Sequence, residues 1–254
     1  MIELPDDGDG RGDRGRGQPA QLSEEIEDAL AVYRQEYFEI VSGWMGEDGT
    51  FGVSYPAFLV ETFHYVKHSC ELMAAARARL APQRVELRAY LEQHIEEERG
   101  HEEWVLNDLE RLGYDRDAVV ASQPLAETIS MIGSQMYVVN CLRPAGLVGY
   151  VYMMESRPPN AGLLRALQET YSIPPDAMTF LSRHGETDIG HAQELRHVLN
   201  TLIDRDLEGA AAKVSAVLGL ACVNRIFMRL RMGRFVATHP LMLNELSQGP
   251  AKAK

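Results

Sequence analysis

Apolar residues recur at intervals of three and four along nearly the whole chain, which is the period of an α-helix. Prolines and glycines interrupt this pattern and predict where helices begin and end. No segment alternates apolar and polar residues in the manner of a strand. The sequence therefore predicts an all-α bundle of about seven or eight helices. The expected helices cover residues 23–42, 56–80, 82–113, 160–171, 175–203 and 207–232. Gly185 could break the helix over 175–203. Pro124 and Pro144 mark the starts of further helices.

The two ends of the chain differ from this helical body. Residues 1–20 consist mainly of Gly, Asp, Arg and Pro, and residues 247–254 are also poor in large apolar side chains. Such segments bury too little apolar surface to offset the entropy cost of ordering the backbone. Both tails are predicted to be disordered, which leaves a single domain over residues 21–246.

Composition and charge exclude several classes of protein. The formal net charge of −12 argues against the basic face of a nucleic-acid binder. No apolar run reaches the roughly 18 residues that span a bilayer, and residues 1–20 lack the apolar core of a secretory signal. Cys70, Cys141 and Cys222 lie far apart and form no CxxC pair, which is typical of reduced thiols. We expect a cytoplasmic protein that binds neither nucleic acid nor membrane.

The histidines are the main chemical clue, because most of the eight lie within three or four residues of an acid. His184, Asp188 and His191 occupy positions i, i+4 and i+7, which share one helix face within an arc of roughly 60°. Imidazole and carboxylate together are good ligands for iron or manganese. The competing interpretation is a solvated polar face with ordinary ion pairs.

A second cluster lies between residues 94 and 101. Glu98 and His101 form the Glu-x-x-His pair that di-iron carboxylate bundles use, and His94 lies seven residues before His101 on the same face. The pattern is weak by itself, since two further copies begin at Glu61 and Glu194. Both Glu98 and His94 remain candidate ligands beside His101.

Two single acids complete the set of candidates. Glu155 lies in the apolar segment LVGYVYMMES, where an unpaired buried carboxylate would be costly, so metal ligation is the favoured interpretation. Glu61 is the best acid on the helix over 56–80, which also presents His64 and His68. Four helices thus each offer carboxylates or imidazoles. A two-iron site inside a helical bundle requires such a set.

These residues resemble the ligand pattern of the haem-oxygenase-like di-iron oxidases and oxygenases, also called iron-containing redox enzymes. In that family a carboxylate and a His on one helix precede a Glu and then His-x3-Asp-x2-His. Glu155 follows His101 by 54 residues, and 184–191 supplies the final motif. The resemblance covers roughly residues 20–235. By this resemblance, the expected metal ligands are Glu98, His101, Glu155, His184, Asp188 and His191. Glu61 and His94 are secondary candidates.

The resemblance also implies a function. It predicts a non-haem enzyme with two irons per chain, cycling between Fe(II) and Fe(III), that uses dioxygen on a small amine, amino acid or fatty acid. Outcomes in the family include N-oxygenation, oxidative C–C cleavage and desaturation. Because the sequence has no reductase or cysteine cluster, we expect an external reductant or ferredoxin, and the family suggests a homodimer. Arg225 is the candidate partner for a substrate carboxylate.

A ferritin-like di-iron protein is the nearest alternative, and it would perform the same iron chemistry on another bundle. That assignment leaves the motif of residues 184–191 without a role. Its ligands would be Glu61, Glu98, His101, Glu155, Glu194 and His197.

Two further alternatives involve no non-haem iron. A haem-oxygenase-like fold could hydrolyse a thiamin-like compound with a cysteine nucleophile or bind haem through one histidine. Neither Cys141 nor Cys222 has a His or Lys close by in sequence to activate its thiol. A non-enzymatic helical binding protein would have merely solvated polar stripes and would bind no stoichiometric metal.

Overall fold

The computed structural model describes residues 20–47 and 50–233, and these residues contain helices and no β-strand. Most of both predicted tails, and residues 234–246 of the predicted domain, lie outside the described residues. Short π-helical turns follow α1 and α7. The described α-helices are α1 (Leu22–Ser42), α2 (Phe51–Val66), α3 (Ser69–Arg79), α4 (Val85–Glu98), α5 (His101–Arg111), α6 (Arg116–Ala121), α7 (Ala126–Tyr137), α8 (Leu147–Glu155), α9 (Ala161–Tyr171), α10 (Thr179–Thr201) and α11 (Leu207–Arg231).

The all-α prediction is confirmed, but several predicted helices have different boundaries. The expected helix over 82–113 divides into α4 and α5 at Gly100, whose φ of +85° lies in the left-handed region that favours glycine. The expected helix over 56–80 divides into α2 and α3. These two divisions, together with the short α6, explain why the described α-helices outnumber the seven or eight expected. Gly185 causes no break, because α10 runs continuously through it.

Helix α11 is the centre of the bundle and packs along α8, α1 and α7. It approaches α8 very closely at Gly149, where an added Cβ would lie 2.0 Å from the carbonyl oxygen of Ala212. Only glycine allows two backbones to come this near. The contact therefore fixes the position of α8, the helix that ends at Glu155.

The same helix α11 is long and apolar enough to cross a membrane by length and composition, and it is the one described helix with this property. Half of its most apolar window is buried inside the bundle. The buried positions include Ala212, Ala216 and Leu220, which belong to the core or pack against it. Packing against the neighbouring helices accounts for the apolar residues on its buried face, while Val214, Leu218 and Met228 are exposed.

A buried carboxylate sets the start of α10. Asp108 of α5 is fully buried and accepts hydrogen bonds from the backbone N–H groups of Thr179 and Phe180, at 3.0 and 2.9 Å. The first N–H groups of a helix have no partner within the helix, so this carboxylate satisfies two of them. The bond ties α10 to α5 and thereby sets the register of the histidines on α10.

Candidate metal centre

Four helices bring imidazoles and carboxylates to one place in the bundle. Three of the contributions come from helix ends, because α4 ends at Glu98, α5 begins at His101 and α8 ends at Glu155. The turn at Gly100 separates Glu98 from His101, so the two do not share one helix face as the sequence suggested. The converging side chains are His94 and Glu98 from α4, His101 from α5, Glu155 from α8, and His184, Asp188 and His191 from α10.

The first group consists of His94, Glu98, Glu155 and His191, which offer ligand atoms within 4.8 Å of one another. Glu155 lies between the two imidazoles. Its Oε1 is 2.9 Å from His94 Nε2, and its Oε2 is 3.2 Å from His191 Nδ1. The two imidazole rings have centroids 5.0 Å apart. This spacing leaves all four groups able to face one ion.

The second group consists of Glu98, His101 and His184, whose ligand atoms also lie within 4.8 Å of one another. Glu98 Oε2 is 3.1 Å from His101 Nδ1, and the rings of His101 and His184 have centroids 4.9 Å apart. Glu98 belongs to both groups. A single carboxylate therefore links two adjacent sets of potential metal ligands.

Asp188 lies beside the first group and is buried, with 4% of its surface exposed. Its Oδ1 is 3.7 Å from His191 Nδ1. Burial, and then the negative charges of Glu155 and Glu98, raise the pKa of Asp188 to about 7. A third acid at this position is unfavourable without a compensating positive charge.

The imidazoles provide part of that compensation. Burial alone would raise the pKa of Glu155, but His191 and His94 outweigh it and hold that pKa below its ordinary value. In return, the contact with Glu155 raises the pKa of His191 to about 9, against the effect of burial. Burial lowers the pKa of His184, which favours its neutral form.

The buried atoms without hydrogen-bond partners test whether a metal fits here. Glu98 Oε1, Glu155 Oε2 and His191 Nδ1 are all buried, and none of them has a hydrogen-bond partner among the described residues. The contact between Glu155 and His191 is close but lacks hydrogen-bond geometry. Buried polar atoms in proteins nearly always have partners, so this concentration indicates a missing ligand. Mixed carboxylate and imidazole donors suit iron or manganese.

Neighbouring side chains hold several of these imidazoles in place. His184 Nδ1 lies 3.0 Å from the carbonyl oxygen of Phe180, so Nδ1 carries the proton and Nε2 is left as the ligand atom. Trp104 stacks on His101 with ring centroids 3.9 Å apart. Tyr90 Oη lies 3.5 Å from His94 Nδ1, the ring nitrogen that faces away from Glu155. Such contacts orient metal ligands.

A cavity of about 480 Å³ adjoins the candidate centre, and Glu98, Glu155, His184 and Asp188 form part of its wall. This is a usual size for a small-molecule site. Most of the remaining wall is apolar or aromatic. It includes Phe58, Met154 and Phe180.

Two predicted site residues, Glu61 and Arg225, have other surroundings than the sequence suggested. The carboxylate of Glu61 is part of the cavity wall but joins neither group of potential ligands. It accepts hydrogen bonds from the backbone N–H of Leu125 and the hydroxyl of Thr128, so it satisfies the start of α7 instead. Arg225 is exposed on α11 and does not line the cavity, because its face of α11 points outward.

Sequence reasoning missed the two arginines that line the cavity, Arg34 and Arg157. Arg34 of α1 lies in the wall and contacts Ser156, which is 122 positions away in the chain. Its local sequence, YRQEY, gives no sign of burial because the residues around it are polar. His94, in contrast, is placed in the first group, where the sequence left its role open.

The ligands of the ferritin-like alternative do not converge. His197 is exposed, Glu194 is only partly buried, and neither belongs to a group of potential ligands among the described residues. The cysteine-dependent alternative also lacks support, since Cys141 is exposed and no cysteine of the described residues lines the cavity.

The arrangement of helices defines a haem-oxygenase-like fold. A domain of unknown function with this fold from Shewanella denitrificans superposes with a TM-score of 0.73, at 21% identity over 92% of this chain and 98% of that one. The sequence pattern of the iron-containing redox enzymes matches residues 56–221. The chain therefore belongs to the iron-containing redox enzyme family, as its motifs indicated.

Other structures share the fold at lower identity. A CADD-like protein of unknown function from Nostoc punctiforme has a TM-score of 0.62 and 18% identity, covering 84% of this chain and 96% of that chain. A TenA homologue from P. horikoshii has a TM-score of 0.61 and 10% identity, covering 84% and 100%. No curated protein matches the chain. These likenesses establish the architecture and leave the reaction to be inferred from the site.

Proposed function

We propose that this protein is a dioxygen-using, non-haem di-iron oxidase or monooxygenase. The observation that supports the proposal most strongly is the buried Glu98, which links two groups of potential ligands at the wall of an internal cavity. In a binding protein with a solvated polar stripe, these acids and imidazoles would be exposed to water, because burying them together without a ligand is costly.

The two groups of potential ligands correspond to two ions. His94, Glu155 and His191 would hold one iron, His101 and His184 would hold the other, and Glu98 would contact both. Asp188 adds a further carboxylate beside His191. Bound iron would supply the one-electron redox chemistry and the activation of dioxygen that no side chain provides.

The protein's own contribution is orientation and exclusion of water. The bond from His184 Nδ1 to Phe180 fixes which nitrogen faces the centre. The apolar cavity wall keeps bulk water away from a substrate that lies against Glu98 and Glu155. We expect that substrate to be a small amine, amino acid or fatty-acid-like molecule, as the family resemblance implies.

Anaerobic loading with Fe(II), followed by measurement of iron per chain, tests the metal assignment. We expect about two irons per chain. His191→Ala should lower that number, whereas the matched control His197→Ala, on the exposed face of the same helix, should leave it unchanged. Loss of iron only in His197→Ala would support the ferritin-like alternative, and less than about one iron in the unmodified protein would support a non-enzymatic one.

An oxygen pulse tests the reaction class. The reduced, iron-loaded protein should give a transient visible absorbance in stopped-flow measurements, and a true substrate should accelerate its decay. An intense Soret band in the purified protein would instead indicate haem.

We also expect turnover to need an external one-electron donor, such as a ferredoxin, because the sequence has no CxxC pair. Sustained product formation without any reductant would contradict this part. A cytoplasmic location and a homodimeric assembly are further parts of the proposal.

A further inference from the structure

Glu97 is an acid beside the candidate metal centre that belongs to neither group of potential ligands. It lies on α4 between Glu96, which forms an exposed ion pair with Arg99, and the buried Glu98. Its side chain is 37% exposed, so it lies at the edge of the bundle rather than in the core. The three consecutive glutamates of this helix therefore have three different surroundings.

The two carboxylate oxygens of Glu97 have separate partners. Oε1 accepts a hydrogen bond of 2.9 Å from Gln93 Nε2, one helical turn earlier. Oε2 faces two imidazoles at once, at 3.5 Å from His191 Nε2 and 3.8 Å from His94 Nδ1. Gln93 thus holds the carboxylate in an orientation in which the second oxygen is directed at both histidines of the first group.

Glu97 contacts the outer nitrogen of each ring. The inner nitrogens, His94 Nε2 and His191 Nδ1, face Glu155 at 2.9 and 3.2 Å. His191 Nδ1 is buried without a hydrogen-bond partner among the described residues, as expected of an atom whose lone pair serves a metal. A neutral imidazole carries one N–H, so a carboxylate at one nitrogen leaves the other with the lone pair that a metal needs.

The second group of potential ligands is oriented by other contacts. His184 Nδ1 lies 3.0 Å from the carbonyl oxygen of Phe180, and Trp104 stacks on His101. Within the described residues, the imidazoles that pair with Glu97 are those of His94 and His191, which both belong to the first group. Loss of the Glu97 carboxylate should therefore affect one ion position rather than both.

We propose that Glu97 is a positioning residue that directs His94 Nε2 and His191 Nδ1 toward the metal and thereby sets the affinity of the first ion position. Outer carboxylates of this kind orient metal-bound histidines and increase the basicity of the ligating nitrogen. The inference rests on the metal assignment of the proposed function. It adds that the two ion positions depend on different residues for their strength.

Long-range proton–nitrogen NMR of the histidine rings tests the choice of nitrogens without any mutation. The probe is Zn(II), which is diamagnetic and accepts imidazole and carboxylate ligands, added to the metal-free protein. His191 should show Nδ1 bound to metal and Nε2 protonated, and His94 should show the reverse. Metal at His191 Nε2 would overturn the proposal, because Glu97 would then face the ligating nitrogen.

Calorimetric titration with Mn(II) tests the effect on affinity. The unmodified protein should bind about two ions per chain. Glu97→Gln should weaken the binding of one ion about 10- to 100-fold and leave the other unchanged. Because Glu97→Asp keeps the charge but shortens the side chain by one methylene group, it should weaken the same ion as well.

Glu96→Gln is the matched control, because it removes the same charge from the adjacent position, where the partner is the exposed Arg99. It should leave both affinities unchanged. An equal loss in Glu96→Gln and Glu97→Gln would show that only the net charge matters and would refute the proposal.

These outcomes are separable from that of the proposed function. A protein that binds no metal would refute the di-iron assignment and with it this inference. Two bound ions whose affinities are the same in Glu97→Gln as in the unmodified protein would refute this inference alone.

Discussion

At the scale of single residues, Glu98 is the most informative side chain in the molecule. It ends α4, it is buried, and it is the one residue that both groups of potential ligands contain. Its Oε2 faces His101, while its Oε1 has no hydrogen-bond partner in the part of the chain that the structure describes. A residue that serves two ions should have a larger effect on metal content than a residue that serves one.

Replacement of Glu98 tests this difference. Glu98→Gln should reduce the iron content from about two per chain to well below one, whereas His184→Ala should reduce it to about one. Elemental analysis after anaerobic loading and gel filtration measures both. Equal losses in the two variants would show that Glu98 does not link the two groups.

Glu61 gives a second prediction, because it belongs to neither group of potential ligands and is completely buried. Burial raises the pKa of Glu61 to about 7, against the hydrogen bonds from Thr128 and Leu125. The folded state therefore holds this proton more tightly than the unfolded state, and Glu61 makes folding less favourable as the pH rises from about 4.5 to about 7. Gln has the same shape and carries no proton-dependent charge.

Glu61→Gln should thus stabilise the protein relative to the unmodified chain at pH 8, by up to roughly 3 kcal/mol. The difference should shrink as the pH is lowered toward 5, where Glu61 is protonated in the folded protein. Urea unfolding of both proteins at several pH values provides the measurement. A difference that is constant with pH would mean that the pKa of Glu61 is not raised.

At the scale of helices, glycines decide where the ligand-bearing elements lie. Gly100 ends α4 and lets α5 begin in a new direction, so that Glu98 and His101 face each other across a turn. Gly149 lets α8 approach α11 to a distance that no other residue permits. Gly185 fits against the carbonyl oxygen of Pro159, which explains its place in an unbroken helix.

Substitution of Gly149 tests the close approach. Gly149→Ala would force a methyl group onto the Ala212 carbonyl and should destabilise the fold by about 2 to 4 kcal/mol. Gly133→Ala on the exposed face of α7 is the matched control, because nothing lies within 4 Å of its added Cβ. The control should be neutral or stabilising by up to about 1 kcal/mol. Denaturant unfolding that ranks the two variants in the opposite order would contradict the packing of α8 on α11.

At the scale of the whole molecule, the bundle concentrates charge in its interior. Glu98, Glu155 and Asp188 are buried near one another, and His94 and His191 are the imidazoles that pair with Glu155 among them. A bound divalent ion would favour the folded state, because the site does not exist in the unfolded chain.

Metal binding should therefore raise the melting temperature. Mn(II), which resists oxidation, should raise it by about 5 to 10 °C at a hundredfold excess over its dissociation constant. Scanning calorimetry measures the shift, a chelator should reverse it, and Glu98→Gln should abolish it. The surface variant His197→Ala should retain the full shift. A melting temperature that is indifferent to metal would argue against a built metal site.

The sequence by itself determined the fold class and most of the residues that converge. Helical periodicity needs only local information, since it follows from which side chains must leave water along one face. The motif of residues 184–191 was recognisable for the same reason, because His184, Asp188 and His191 lie on one continuous helix. The family match over residues 56–221 agrees with the resemblance those residues suggested.

Only the tertiary structure decided how the helices meet. It placed His94 with Glu155, turned Glu61 toward the start of α7, and brought Arg34 into the cavity in place of the exposed Arg225. In the chain, His94 and Glu155 are 61 positions apart, Glu61 and Leu125 are 64 apart, and Arg34 and Ser156 are 122 apart. Contacts at such separations depend on helix crossing and register, which the whole packed core sets jointly and no local stretch of sequence encodes.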